Sequence, residues 1–254
     1  MGRKLLVFDV GNSRLKAALY DGDRLIARAS IGAVRDMAGE DCEAQVVSVL
    51  ESRFVPRGTP DHCLVASVVR GADEVIREAV QQVWGLTPRV ADTDMDLGID
   101  VAVSRPDYVG IDRLLQASEA FRVCAGCVVV AAFGSALTVD LVTADGVFRG
   151  GTIAPGLGMG LRALHDETSL LPHVALQPPD SAVGTDTVSC IRAGIVYGAA
   201  GAVERLFGEL APDGHATLVL TGGDAELIAP FIKFPHRVEP DLVLRALISL
   251  DRRV

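Results

Sequence analysis

The sequence predicts an α/β protein built from two related halves. A strand–turn–strand segment near the start, Leu5 to Gly22 (LLVFDVGNSRLKAALYDG), is repeated in pattern at Val128 to Gly146 (VVVAAFGSALTVDLVTADG). Sliding one onto the other puts Gly134 on Gly11, Ser135 on Asn12 and Ala132 on Asp9. After a third strand, the chain following the first copy runs helix, strand, helix. A hairpin repeated once, far apart in the chain, is the pattern left by a duplicated α/β domain.

In the first half, Leu5 to Phe8 is an apolar run of strand composition with Asp9 at its end. Gly11-Asn12-Ser13 breaks it, Leu15 to Tyr20 is a second strand, and Asp21-Gly22 is a two-residue hairpin signal. Arg24 to Ser30 is a third strand. Cys42, Val46, Val49, Leu50 and Phe54 recur at helical spacing in a helix over 36–54. A Pro/Gly loop at 56–60 precedes a buried strand, His62 to Val69. A helix over Ala72 to Trp84 turns Val75, Ile76, Ala79, Val80 and Val83 to one face, and Leu86 to Val90 is a short strand. Residues 91–109 carry Asp92, Asp94, Asp96 and Asp100 without an EF-hand pattern and read as a solvated loop. Pro106-Asp107 opens a helix with an inner stripe of Ile111, Leu114, Leu115, Ser118 and Phe121. That stripe leaves Asp112 and Arg113 in the first turn, off the apolar face.

The second half starts at Val128. Thr138 and Asp140 alternate with Val139 and Leu141, as on a strand with one polar face. Phe148 to Ile153 continues the sheet. Pro155 to Gly160 turns into a helix ending near Asp166, and a loop spans Leu170 to Pro179. Gly184-Thr185-Asp186-Thr187 precedes a long apolar helix, Ile191 to Leu206. Thr217 to Leu220 is a strand, Ala225 to Ile232 a short helix, and Glu239-Pro240-Asp241 starts the last helix. The halves are expected at 1–117 and 118–254, bridged by residues around 107–127.

Composition excludes several function classes. At 254 residues with 49% hydrophobic content, the chain can bury a sizeable core. Lys plus Arg number 24 against 33 Asp plus Glu, a net charge of −9 without a basic stripe, so no nucleic-acid partner is expected. No stretch approaches a membrane span. The apolar run at 5–8 is too short for a secretory signal and is interrupted by Asp9, so a cytoplasmic location without membrane partners is expected. The five cysteines, Cys42, Cys63, Cys124, Cys127 and Cys190, are an odd number and argue against a disulfide framework. Cys124 and Cys127 have CxxC spacing with no second ligand pair, and read as small hydrophobes. The five histidines show no metal-ligand spacing, and neither a GxSxG elbow nor a Walker A loop is present.

The candidate chemistry lies in the turns. Asp9, Gly11, Asn12 and Ser13 stand where a strand enters a tight turn. Glycine admits close backbone approach, backbone N–H groups and the two polar side chains can donate to phosphate oxygens, and a carboxylate can hold Mg²⁺. Lys16 adds a positive charge. Taken alone, the same residues equally suit an ordinary surface hairpin. Asp112 and Arg113 read either as a first-turn acid favoured by the helix dipole beside a solvated arginine, or as a general base beside a carboxylate-gripping guanidinium.

Six motifs stand in order: Asp9-Val10-Gly11-Asn12, Gly110-Ile111-Asp112-Arg113, Phe133 to Asp140, Gly150 to Gly156, Gly184 to Thr187, and Thr221-Gly222-Gly223. In order and spacing the chain resembles the type III pantothenate kinases of the actin-like ATPase and sugar-kinase superfamily. The resemblance implies an actin-like (ribonuclease H-like) α/β fold of duplicated domains, each with a mixed five-stranded sheet flanked by helices, and ATP in a cleft. It implies ATP-dependent phosphorylation of pantothenate to 4'-phosphopantothenate, the first step of coenzyme A biosynthesis. By the same resemblance Asp9, Val10, Gly11, Asn12, Ser13, Arg14, Leu15, Lys16 and Ser135 bind ATP, and Asp9 organises Mg²⁺ on the phosphates. Gly110, Ile111, Asp112, Arg113 and Thr187 bind substrate, with Asp112 as general base and Arg113 on the carboxylate. A homodimer is implied, the second half carrying apolar helix surface at Ile191–Leu206 and Leu242–Leu250.

Three positions depart from the family pattern. The carboxylate that would hold K⁺ or NH₄⁺ is Ala132, the Asn of GxNT is Asp186, and Val103-Ser104-Arg105 replaces an aromatic residue before GxDR. Another small-molecule kinase of the superfamily, or a non-catalytic regulator that kept the fold, stand as the alternative readings.

Overall fold

Apolar alternation in the first thirty residues builds a three-stranded antiparallel meander, β1 (Lys4–Val10), β2 (Leu15–Asp21) and β3 (Arg24–Ile31). The computed structural model describes residues 3–32 and 40–253. Residues 36–39 of the predicted first helix therefore lie outside the described residues. The described part is α1 (Glu40–Val49), continued by a π-helical turn over Leu50–Phe54 and a short 3₁₀ turn at Val55–Arg57. Leu50 and Phe54 both point into the core from that wider turn. Then come β4 (His62–Ser67), α2 (Ala72–Trp84) and β5 (Arg89–Val90). They complete a five-stranded sheet ordered β3-β2-β1-β4-β5, with β1 parallel to β4. Leu6, Phe8, Val10, Leu15, Ala17 and Leu19 share the face that packs on Val46, Leu50, Phe54, Ile76 and Val80 from the helices.

The second sheet has six strands where five were expected. Its order is β11-β10-β7-β8-β9-β6: β6 (Asp100–Val101), β7 (Val128–Phe133), β8 (Ala136–Val142), β9 (Val147–Pro155), β10 (Thr217–Thr221) and β11 (His236–Val238). The extra strand, β6, pairs parallel with β9 over two residues inside the segment predicted as loop. A two-residue strand is too short to leave a period in the sequence. Within the same loop Asp92 and Asp96 accept from the backbone N–H of Asp94 and Gly98, the local turn bonding that favours aspartate there. All six residues of β7 are buried. One face of this sheet, with Val129, Ala131, Phe133, Leu137 and Val139, packs on Val196, Ala200, Val203 and Phe207 of α5 (Thr187–Leu210).

The remaining helices are α3 (Ile111–Cys124), α4 (Leu157–Asp166), α6 (Ala225–Ile228) and α7 (Leu242–Asp251). Two compact units result, and neither is a single stretch of chain. The first comprises 1–98, 105–119 and 243–254; the second comprises 99–104 and 120–242. Against the expected halves, 1–117 and 118–254, the first unit adds residues 118–119 and most of α7, and residues 99–104 go to the second. There Glu119, only 1% exposed, accepts from Ser249 Oγ at 2.9 Å and faces Arg245 Nε at 3.4 Å. All five cysteines are free thiols; Cys42 and Cys63 are buried, and burial pushes both thiols up. No helix among the described residues is long and apolar enough to cross a membrane.

Candidate active site

The turn between β1 and β2 closes through Gly11 N–H donating to Arg14 O at 3.0 Å. Asn12, Ser13 and Arg14 are exposed at its tip, while Val10 and Leu15 on either side are buried in the core. Of the predicted ATP residues, Val10 and Leu15 thus offer only backbone to a ligand. Asp9 and Lys16 are cross-strand partners in the antiparallel register. Opposite charges so placed stand with Cβ atoms roughly 5 Å apart, which holds the carboxylate and the ammonium group at the mouth of one turn.

The Gly110–Arg113 motif belongs to the same unit. A 3₁₀ turn, Pro106–Tyr108, precedes α3, and Val109 is extended. Gly110 O then accepts from Arg113 N–H at 3.0 Å and opens the helix. Asp112 Oδ1 folds back to accept from the Arg113 N–H as well, at 2.9 Å. Glycine at 110 leaves room for the Asp112 carboxylate. A methyl group there would stand 2.6 Å from Asp112 Oδ1 and 3.7 Å from Val68 Cγ1. Val68 in turn donates its N–H to Val10 O at 3.1 Å. So the residue after β4 lies between the end of β1, where the Gly11 turn begins, and the helix start that carries Asp112. Sequence reading missed Val68, because an ordinary valine after a buried strand carries no local signal.

Tyr108 stands in the loop before Gly110 and is 74% exposed. The Arg105 guanidinium lies 3.9 Å from its ring centroid and 3.4 Å from Asp107 Oδ2. Val103, where an aromatic was expected, packs in the second unit, with Cγ1 3.3 Å from where a side chain at Gly150 would begin.

The second unit repeats the turn. Gly134 N–H donates to Ala136 O at 3.0 Å, as Gly11 does to Arg14, and Ser135 sits at the tip. Gly156 and Gly222 press their Cα atoms against the backbone of this turn; a side chain at either would collide with Phe133, Gly134 or Ser135 carbonyls. That packing accounts for the PG and TGG motifs. Ala132 lies beside Thr138 and Thr221 across adjacent strands. The Thr138 hydroxyl is buried without a hydrogen-bond partner. Asp140, two residues on, is also buried.

Asp186 caps α5. Its carboxylate accepts from Ser189 N–H at 3.0 Å, and Ser189 Oγ accepts from the Asp186 N–H at 3.1 Å, a reciprocal capping box. The Ser189 N–H, helped by the Ser189 hydroxyl, holds the Asp186 carboxyl below its ordinary value. Asn and Asp serve about equally as N-caps, so Asp in the GxNT position preserves this helix start. Thr187 is the first residue of α5 and is exposed. Asp9, Gly11–Lys16 and Gly110–Arg113 therefore share the first unit; Ala132, Ser135 and Thr187 belong to the second.

Comparison with known proteins gives the fold and the family. Two solved structures share the fold: an inorganic polyphosphate/ATP-glucomannokinase from Arthrobacter sp. strain KM, with TM-score 0.53, 15% identity and 100% of each chain covered, and MreB 5 of Spiroplasma citri bound to AMPPNP, with TM-score 0.53, 9% identity, and 100% and 97% covered. The fold is the actin-like α/β fold of ATPases and sugar kinases. A protein from Phenylobacterium zucineum described as type III pantothenate kinase is 32% identical over 98% of both chains. The family model for type III pantothenate kinase matches residues 5–209, and with that match the chain belongs to the type III pantothenate kinase family.

Proposed function

We propose that the chain transfers the terminal phosphoryl group of ATP to the primary hydroxyl of pantothenate, with Asp112 as the base. The observation that carries this is the link through Val68, which sets the Asp9–Lys16 turn and the Asp112 helix start against one residue of one unit. Phosphoryl transfer needs alignment and charge stabilisation more than covalent chemistry from the protein. The backbone of the Gly11–Arg14 turn and the Asn12, Ser13 and Lys16 side chains meet the phosphates. Asp112 accepts the hydroxyl proton. Arg113, adjacent on the first turn, grips the carboxylate of the acceptor. Ser135 is assigned to ATP and Thr187 to the acceptor, as their motifs imply.

Mg²⁺ fits the residues present. It is bound through one or two carboxylates together with nucleotide phosphates, and Asp9 supplies one carboxylate at the strand end; the ion would neutralise phosphate charge. A monovalent cation does not fit at Ala132. Its cross-strand neighbours, Thr138 and Thr221, bring hydroxyls and no carboxylate. We assign no step to such an ion, and activity without potassium or ammonium follows.

The chain acts in the cytoplasm as a homodimer in this reading. Support for the dimer comes from α5, whose outward face presents Gly194, Tyr197, Gly198, Gly201 and Ala202. The other helix expected to contribute does not: the apolar residues of α7 are buried within the chain. Light scattering at micromolar concentration should give twice the chain mass.

Incubation with ATP, Mg²⁺ and a panel of hydroxylated acids including pantothenate tests the proposal. Phosphopantothenate with equimolar ADP is expected. Transfer only to another acid would move the substrate, and no transfer at all would favour a regulatory role.

A further inference from the structure

We infer that Ser67 is a positioning residue for the proposed base, acting on Asp112 through Val68. The inference rests on the reading that Asp112 takes the acceptor's proton. Ser67 ends β4, where it pairs in the parallel register with Val10 at the end of β1. The sheet stops there, and the chain turns away toward α2. Serine supplies the group that fixes the bend. The Ser67 hydroxyl donates to Val69 O at 3.0 Å and accepts from Val69 N–H at 3.2 Å. One side chain thus holds both backbone groups of the residue two positions on, a local bond pattern open to serine but not to an apolar residue. Ala72 N–H, at the start of α2, also donates to Val69 O, at 3.3 Å.

Val68 is the residue caught inside that clip. Its N–H donates to Val10 O, and its Cγ1 stands 3.7 Å from the point that a Cβ at Gly110 would occupy. Asp112 Oδ1 lies 2.6 Å from the same point. The Val68 methyl and the base carboxylate therefore both border one bare glycine, in segments far apart in the chain and within one unit. Ser67 and Val68 are both half-buried. A valine has no group that can hold a carboxylate. What it can do is fix the spacing between the end of β1 and the start of α3, and the Ser67 hydroxyl is what keeps Val68 in place. Without that hydroxyl the bend opens, and Val68 shifts relative to Gly110 and the carboxylate beside it.

A double-mutant cycle in kcat on the full chain, with ATP, Mg²⁺ and pantothenate, tests the inference. A shift of about 1 Å at a reacting group costs on the order of 10²-fold in rate, and a partly opened bend should cost about tenfold. Ser67→Ala should therefore lower kcat about tenfold and change KM for ATP and for pantothenate by less than about threefold. In the Asp112→Asn background, Ser67→Ala should cost less than about twofold of the residual turnover, since the group it positions no longer acts. A residue that only stabilises the fold costs the same in both backgrounds. Val68→Ala removes the methyl beside Gly110, keeps the backbone bond to Val10, and should show the same coupling; it decides the matter if Ser67→Ala melts below the assay temperature. Equal losses in both backgrounds, or no loss in either, would overturn the inference alone. An Asp112→Asn variant as active as wild type would overturn the base assignment, and the inference with it.

Discussion

Gly110→Ala isolates the geometry of the proposed base, Asp112, without touching its chemistry. Gly110 is not among the glycines at positive φ, so alanine suits the backbone and the start of a helix. What it does not suit is the carboxylate. The new methyl would lie 2.6 Å from Asp112 Oδ1, whereas ordinary contact begins near 3.4 Å. Asp112 must therefore retreat by about 0.8 Å, and in doing so it gives up the bond from Arg113 N–H. Misplacing a reacting group by about 1 Å costs on the order of 10²-fold in rate. That is about 2.7 kcal/mol of transition-state stabilisation at about 1.36 kcal/mol per factor of ten. The lost hydrogen bond should take only about 1 kcal/mol from stability. A coupled ADP-release assay with pantothenate, run beside a thermal melt, separates the two effects. If kcat/KM for Gly110→Ala stays within about threefold of wild type, the carboxylate is not positioned by the space at Gly110.

Asp112→Asn keeps the shape and removes the base; turnover should fall at least about 10²-fold with an unchanged melt, and a smaller loss would remove the base assignment. Thr138→Val replaces a buried, unpartnered hydroxyl by a methyl of like shape. It should raise Tm by roughly 2–4 °C, about 1 kcal/mol at this chain length, and a lowered Tm would mean that the hydroxyl has a partner in solution. Asp186→Ala removes the cap of α5 and should lower Tm, while Asp186→Asn should be near neutral at pH 7, both read by thermal melts. Because the folded state lowers the Asp186 carboxyl from 3.8, its stabilisation is present above that value and is lost as pH falls below it. The gap between wild type and Asp186→Asn should therefore shift only in acid and stay flat from pH 5 to 8. Titration with KCl against choline chloride at constant ionic strength should leave activity unchanged; a large saturable activation would place a cation despite Ala132, and its loss in Asp140→Asn would locate the charge.

Much of the fold was legible because its signals are local. The two hairpins announce themselves through apolar runs ended by Asp21-Gly22 and Asp145-Gly146, and α2 begins where periodicity puts it, while α5 begins four residues before the apolar stretch that announced it, at the Asp186 cap. What was illegible is non-local or too short. β6 has two residues and is fixed only by its partner β9. The apolar face of α7 looks like exposed surface when α3 is not seen beside it, yet Glu119 meets Ser249 and Arg245 there. At the site, Asp9, Asp112 and Arg113 could be named from motifs. The reason for Gly110 could not, since it depends on Asp112 turning back over it and on Val68 arriving from β4. The motif glycines Gly156 and Gly222 likewise needed the Phe133–Ser135 backbone in place before their bareness had a cause.

The division of the chain has a consequence for biosynthesis. The backbone passes between the units at 98/99, 104/105, 119/120 and 242/243. A ribosome delivers nearly all of the first unit early, but its last dozen residues, 243–254, arrive only after the whole second unit has been made. Until then Glu119 lacks Ser249 and Arg245, two of the groups that accompany its burial. The half of the molecule that holds the candidate base is the first to emerge and the last to be finished. A chain terminated within the second unit would therefore lack residues 243–254, on which the first unit draws.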